Sequence, residues 1–235
     1  MKIQFLYPLC LRCGSLSVRS SLFCHLCETD FLLPRMMKHY RVVKNQEAIF
    51  AVDFLLHWVP KESDSLSELV YLLKHRLSFP VWKFYVDQFI HFHSQNRSSQ
   101  LATALVPVPG SKPGKTAYHT QYFTQAWQEL SQVDVMNCLR SEPEHLEQKE
   151  LSLAERGQTQ MSFLEDFTTQ IGQYDRIILI DDIVTSGHTL QASLMALKPH
   201  LKPGCLIEIK ALLSRDKIWY IKSMFKPKSL VIQWL

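Results

Sequence analysis

The chain has no apolar run long enough to cross a bilayer. The longest, residues 48–59, is about half of what a spanning helix requires, and Asp53 and His57 interrupt it. No apolar core follows Met1 either. The start, Met1-Lys2-Ile3-Gln4-Phe5-Leu6-Tyr7-Pro8, leads directly into cysteines and lacks the pattern of a secretory signal. These two absences give the expectation of a cytoplasmic protein without a membrane span, in a compartment where thiols stay reduced. There is no lysine-rich tail, and a net charge of +4 permits contact with polyanions without arguing for it. Internal repeats and low-complexity tracts are missing. So is a DNA-reading helix motif, which removes a transcriptional co-regulator built on such a helix.

What is present is a chain of 235 residues, 46% apolar and 20% charged, the composition of an ordinary globular protein. Its length fits one domain plus a small appendage, or two modest domains. Cysteine is concentrated at one end: four of the six lie before residue 30. They form two knuckles, Cys10-Leu-Arg-Cys13 and Cys24-His-Leu-Cys27. Two such pairs can place four thiolates at the corners of a tetrahedron, the arrangement a structural zinc takes. The link between them is long enough for a short hairpin, so residues 1–34 read as a zinc ribbon, with Gly14 suited to the turn of the first knuckle. His25 is a possible substitute ligand, but four cysteines already close the site. A disulfide or a redox dithiol is the alternative, disfavoured in a reducing compartment. Cys138 and Cys205 have no cysteine neighbour and suit a core.

Residues 31–46 carry Arg35, Lys38, His39, Arg41 and Lys44 and read as a basic linker to a second domain spanning 47–235. Residues 47–59, aromatic and β-branched, read as a strand or a hairpin closed by Pro60. Ser65 and Glu68 stand at capping-box spacing before an amphipathic helix that runs to about Leu77 and is broken by Pro80. A second helix is expected over 81–93. Residues 102–109 form a strand ending in Pro107-Val108-Pro109, and a loop with Gly110, Ser111, Lys112 and Lys115 follows. A helix over 118–131, a strand over 133–139 and a long polar connection over 140–162 come next, the last with the character of a lid or a disordered segment. A strand over 205–213 and a possible last one over 230–235 complete the series. Alternating strands and helices argue for an α/β domain with a mostly parallel sheet, whose ligand binds beyond the carboxyl ends of the strands.

The stretch most suited to chemistry is Ile177-Ile178-Leu179-Ile180-Asp181-Asp182-Ile183-Val184-Thr185-Ser186-Gly187-His188-Thr189. The apolar run reads as a strand buried on both faces, with the Asp pair marking its exit from the core. The loop Thr185-Ser186-Gly187-His188-Thr189 turns into a helix whose N-terminal N–H groups favour an anion. Gly187 allows close approach of a ligand, and the hydroxyls of Thr185, Ser186 and Thr189 can donate to phosphate oxygens. Adjacent carboxylates repel one another and call for a partner.

This stretch is similar to the signature with which type I phosphoribosyltransferases bind phosphoribosyl pyrophosphate (PRPP). The four-cysteine segment, Leu105-Val-Pro-Val-Pro109, Gln148-x-x-Leu151-x-x-x-Glu155-Arg156 and the Asp181-Asp182 signature, in this order, together resemble the ComF family (ComFC- and GntX-like competence proteins). Leu69-Val-Tyr-Leu-Leu-Lys74 also resembles that family's leucine-lysine helix. The resemblance implies a type I phosphoribosyltransferase-like fold and PRPP binding by Asp181, Asp182, Thr185, Ser186, Gly187, His188 and Thr189, with Mg²⁺ accompanying the ligand. It also implies a pyrophosphate loop at Gly110, Ser111 and Lys112, and a cytoplasmic role in natural transformation. In that role single-stranded DNA and a competence helicase or ATPase are the partners, met through the ribbon and basic stretch, with Phe5, Tyr7, Tyr40 and Arg41 able to stack on bases. Where the family has Arg-Gly-Phe-Asn-Gln, this chain has residues 115–120, Lys-Thr-Ala-Tyr-His-Thr. The cations left for a developing pyrophosphate charge are Lys112, Lys115, Lys149 and Arg156. A binding module of DNA uptake and a Mg²⁺-dependent phosphoribosyltransferase with an unidentified acceptor both remain open.

Overall fold

Four consecutive apolar residues can all be buried only if both faces of their strand are covered, and residues 177–180 lie in such a place. The computed structural model describes residues 9–36, 39–44, 48–59, 65–74, 79–93, 101–110, 118–142, 160–215 and 233–234. A helical turn α1 (His25–Cys27) comes first, followed by strands β1 (His39–Lys44) and β2 (Ala48–Trp58) and helices α2 (Ser65–Lys74) and α3 (Phe79–His93). Next are β3 (Thr103–Pro107), α4 (Tyr118–Ser131), β4 (Asp134–Val135), β5 (Leu139–Ser141), β6 (Met161–Phe163) and α5 (Thr168–Ile171). The chain closes with β7 (Arg176–Val184), α6 (His188–Leu197), β8 (Leu206–Arg215) and β9 (Gln233–Trp234). The main sheet has seven strands in the order β1-β2-β8-β7-β3-β4, with β9 on β2. Pairing is parallel from β2 through β8, β7 and β3 to β4, and antiparallel only where β1 and β9 meet β2. The protein is thus α/β, with a mostly parallel sheet flanked by helices.

Alternate residues of β7 serve two cores. Ile178 and Ile180 pack with Trp82, Tyr85 and Phe89 of α3 and Phe123 and Trp127 of α4. Ile177 and Leu179 pack with Leu190, Leu194 and Leu197 of α6 and with Val52 and Phe54 of β2. Each of the four is at most 1% exposed, a burial that contributes about 1.5–3 kcal/mol per side chain.

Several expectations change on contact with the structure. The basic stretch 31–46 is not a linker, because its residues 39–44 form β1, paired to β2 from His39↔Phe54 to Lys44↔Ile49. Polar residues suit it because it is an edge strand. The link between the knuckles turns back through a tight hairpin loop, closed by Leu22 N–H to Arg19 O at 2.9 Å and Arg19 N–H to Phe23 O at 3.0 Å with Leu22 at a φ of 70°, but residues 9–36 hold no strand. Nor do they stand apart from the second domain: Phe23, Phe31, Leu32 and Met36 belong to the core that holds Trp82 and Ile178. Pro80 does not stand outside a helix but in the first turn of α3, where its missing N–H has no partner to lose. Residues 133–139 divide between β4 and β5. The long connection over 140–162 is anchored at both ends by antiparallel pairing of β5 with β6, and residues 143–159 lie outside the described part. Of residues 230–235, Gln233–Trp234 form β9.

Among the described residues a lysine is buried in the core. Lys210 of β8 is 1% exposed and forms an ion pair with Asp53 of β2. Glu208 lies 2.9 Å from the same ammonium, and His93 Nδ1 lies 3.9 Å from Asp53 Oδ2.

Candidate functional site

The strand β7 does not end at the acids. It keeps parallel register with β8 on either side of Asp182, at Asp181↔Ala211 and Ile183↔Leu213, and ends at Val184. The acid pair is therefore held by a regular backbone rather than by a loop. Asp182 is buried, while Asp181 keeps part of its surface open. The Asp182 N–H donates to Asp181 Oδ1 at 2.8 Å. Desolvation, then the neighbouring charge and hydrogen bond of Asp182, hold the Asp181 carboxyl well above the usual carboxylate range, against the opposing pull of Lys74 at the end of α2. A cation or a hydrogen-bond donor placed beside Asp181 would favour its charged form.

The loop beyond carries Thr185 and Ser186, both exposed, and Gly187, buried with a φ of 82°. Gly187 is the N-cap of α6, and no side chain caps that helix. The Gly187 carbonyl accepts from Gln191 N at 2.9 Å, which starts the helix. His188 is exposed and Thr189 half-buried at its first turn. The first-turn N–H groups thus lie next to the loop that carries the hydroxyls, and the helix dipole favours an anion there. Gly187 also meets a steric limit. A Cβ at this position would lie 2.7 Å from Val43 Cγ1 of β1, so the edge strand forms the floor of the loop.

Strand β3 runs beside β7 up to the acid pair. Pro107 of β3 pairs with Ile180 of β7, and the Val108 N–H donates to the Ile180 carbonyl at 2.8 Å. Gly110, partly exposed, therefore leaves the sheet at the same end as the acid pair. Ser111 and Lys112 lie outside the described residues, as do Lys115, Lys149 and Arg156. Helix α4 then returns to the site. Its His119 places Nε2 at 3.3 Å from Asp182 Oδ2, with the imidazole side chain 28% exposed and the Asp182 side chain 11%. Neither His119 nor Lys74 stands out in the sequence as a site residue. A lone histidine near the start of an amphipathic helix reads as surface, and nothing local links it to an acid far along the chain.

The four cysteines converge. The Sγ atoms of Cys10, Cys13, Cys24 and Cys27 all lie within 4.8 Å of one another, and Cys13 and Cys24 Sγ are 3.7 Å apart. Zinc–sulfur bonds of about 2.3 Å in a tetrahedron put the sulfurs roughly 3.8 Å apart, so the cluster could hold zinc. Gly14, with a φ of 71°, donates its N–H to the Cys10 carbonyl at 2.9 Å and closes the first knuckle. Burial raises the Cys10 thiol, but the backbone N–H groups of Cys24, Cys13 and Arg12 and the Cys13 thiol outweigh it and bring it to about 6. Burial and the three neighbouring thiols push Cys27 up to about 12. His25 is exposed and outside the cluster.

No helix of the described residues is long and apolar enough to cross a membrane. No family model matches the sequence, and no curated protein does. Among solved structures, adenine phosphoribosyltransferase from Leishmania tarentolae is similar at 14% identity over 67% of this chain and 91% of that one, with a TM-score of 0.37. The Leishmania donovani adenine phosphoribosyltransferase is similar at 13% identity over 67% of this chain and 83% of that one, also at 0.37. Likenesses of this degree carry no weight for the chemistry of the present chain.

Proposed function

We propose that this chain is a ComF-type protein with a phosphoribosyltransferase-like domain that binds PRPP, or a related phosphoribosyl ligand accompanied by Mg²⁺. The observation that carries the reading is the convergence at one end of the sheet of an acid pair, a hydroxyl-bearing loop at an uncapped helix start, and the Gly110 loop. In this reading Asp181 and Asp182 accept from the ribose hydroxyls. The backbone and hydroxyls of Thr185, Ser186, Gly187, His188 and Thr189 hold the 5-phosphate. The segment from Gly110 through Ser111 and Lys112 lies on the pyrophosphate side. Zinc occupies the four cysteines and acts structurally, holding the N-terminal segment against α3. The biological role is in the cytoplasmic handling of incoming single-stranded DNA during natural transformation, with a competence helicase or ATPase as partner. Arg12, Arg19 and Arg35, exposed on the cysteine segment, suit the phosphate backbone. Calorimetry with PRPP and Mg²⁺ tests the ligand. The wild type gives a saturable heat and the Asp181→Asn/Asp182→Asn variant gives none, whereas equal heats remove the site assignment. For DNA, binding of a single-stranded oligonucleotide that stays flat as salt is lowered speaks against direct contact.

A second reading, turnover of PRPP onto an unidentified acceptor, draws on Lys74. Its charge acts on Asp181, which adds a cation to those of the loops for a developing pyrophosphate. Pyrophosphate release screened over candidate acceptors decides between binding and transfer.

A further inference from the structure

Each carboxylate of the acid pair has one oxygen engaged by the protein. Asp181 Oδ1 accepts the Asp182 N–H at 2.8 Å, and Asp182 Oδ2 faces His119 Nε2 at 3.3 Å. Among the described residues no donor is placed on the other oxygen of each group, Asp181 Oδ2 and Asp182 Oδ1. The two acids are consecutive in β7, so these acceptors belong to adjacent residues. Two neighbouring acceptors match two neighbouring donors, the vicinal hydroxyls of a ribose. Asp181 is oriented by backbone that belongs to its own strand. Asp182 has no equivalent backbone partner, and the group that meets its carboxylate comes from another element, the first turn of α4. That turn follows directly on the Gly110 loop, so His119 also ties the ribose side of the site to its pyrophosphate side.

We propose that His119 is a positioning residue that orients Asp182, so that the acid pair reads both ribose hydroxyls, one per carboxylate. The inference rests on the phosphoribosyl reading of the site. His119, with Nε2 at 3.3 Å from Oδ2, holds that oxygen and turns Oδ1 toward the sugar. Its own side chain is partly exposed, so replacing it does not open the core. Without it Asp182 can rotate, and the hydrogen bond to one particular hydroxyl weakens while the bond from Asp181 to the other hydroxyl stays.

The test is a cycle of protein variants against sugars. Ribose 5-phosphate, 2-deoxyribose 5-phosphate and 3-deoxyribose 5-phosphate are titrated calorimetrically into wild type, His119→Ala and His119→Gln, with thermal melting of all three proteins as the check on folding. His119→Ala binds ribose 5-phosphate about tenfold more weakly, the effect of one lost hydrogen bond to a charged group. That loss vanishes with one of the two deoxy sugars, the one missing the hydroxyl that Asp182 holds, and persists with the other. His119→Gln, which keeps an N–H at the position of Nε2, recovers most of the affinity. An equal loss on all three sugars, no loss on any, or a Gln variant no better than Ala overturns the role of His119 and leaves the phosphoribosyl site standing. Absence of binding by the wild type to every sugar overturns both readings together.

Discussion

The hydroxyl of Tyr85, in the middle of α3, donates to the carbonyl of Ser21 at 2.7 Å in a fully buried contact. Ser21 lies between the two cysteine knuckles, and its own hydroxyl donates to Glu28 Oε2 at 2.5 Å. Glu28 also receives Arg19 at 3.1 Å. Burial, reinforced by the Glu28 charge, keeps the Tyr85 phenol protonated well above its ordinary range, so the donor is permanent. Tyr85→Phe keeps the ring and removes the donor, leaving a buried carbonyl without its partner. The expected loss is about 1–2 kcal/mol, measured by urea unfolding with an unchanged slope. A variant as stable as the wild type would show that the clamp contributes nothing.

The same segment ties metal occupancy to the stability of the whole protein. Cys10 and Cys24 belong to the core that contains Leu55, Trp82 and Ile178, so releasing the knuckles loosens that core. With zinc bound, stripping it with a strong chelator lowers the melting temperature, and Cys10→Ser lowers it in the same direction. The loss is about 4 kcal/mol where free zinc exceeds its dissociation constant a thousandfold. A melting curve unmoved by chelator, on protein shown to contain zinc, would disprove the coupling.

The parts of the fold visible in the sequence are those whose signal is local. The knuckles are read from spacing alone. The strand β7 is read from four apolar residues that no half-exposed strand would tolerate. Helix α4 is read within its observed bounds because its apolar positions recur at helical spacing, with Phe123, Ala126 and Trp127 all buried. What escapes the sequence depends on contacts between distant segments. The strand β1 looks like a linker because an edge strand has one unpaired side and tolerates Tyr40 and Arg41. His119 looks like surface because its partner, Asp182, is brought to it only by the sheet. Gly187 looks like a ligand contact, and its steric neighbour Val43 belongs to the very segment misread as a linker.

That contact makes the loop at Gly187 sensitive to its floor. Gly187→Ala has to adopt a φ of 82° with a Cβ 2.7 Å from Val43 Cγ1, and valine is stiff at this bond. A loss on the order of 2 kcal/mol is expected from the backbone and the clash together. Adding Val43→Ala relieves the clash and not the φ, so the double variant recovers stability relative to Gly187→Ala only in part. Unchanged stability of the single variant by thermal melting would show that the loop moves freely away from β1.

The buried Lys210 makes a related point on the opposite side of the argument about charge. Lys210→Met removes the cation and leaves Asp53 inside the core, which costs about 3–5 kcal/mol. Asp53→Leu combined with Lys210→Met removes both charges and costs less than Lys210→Met alone, because two apolar side chains need no solvation. Denaturant unfolding of the wild type, both single variants and the double variant measures this, and strict additivity of the two single losses would show that the residues do not act as a pair.

Asp181 links stability and binding through its proton. Its folded-state carboxyl is held well above the ordinary range, first by desolvation and then by Asp182, while in the unfolded chain it titrates near ~3.9. Between those two values the native state holds a proton that the unfolded state has lost. Its contribution to stability is therefore full below the unfolded value and is lost as pH rises through the folded one. Asp181→Asn cannot ionise, and its Oδ1 still accepts the Asp182 N–H. The variant should melt higher than the wild type at neutral pH, by roughly 2–4 °C for each kcal/mol of relief, and the gain should shrink as pH falls toward 4. A difference in melting temperature that is constant from pH 4 to 8 would sink this account. In the proposed function the same substitution removes a ribose acceptor, so the more stable protein should be the one that binds PRPP less. Such opposition is expected of a residue kept for its ligand at some cost to the fold.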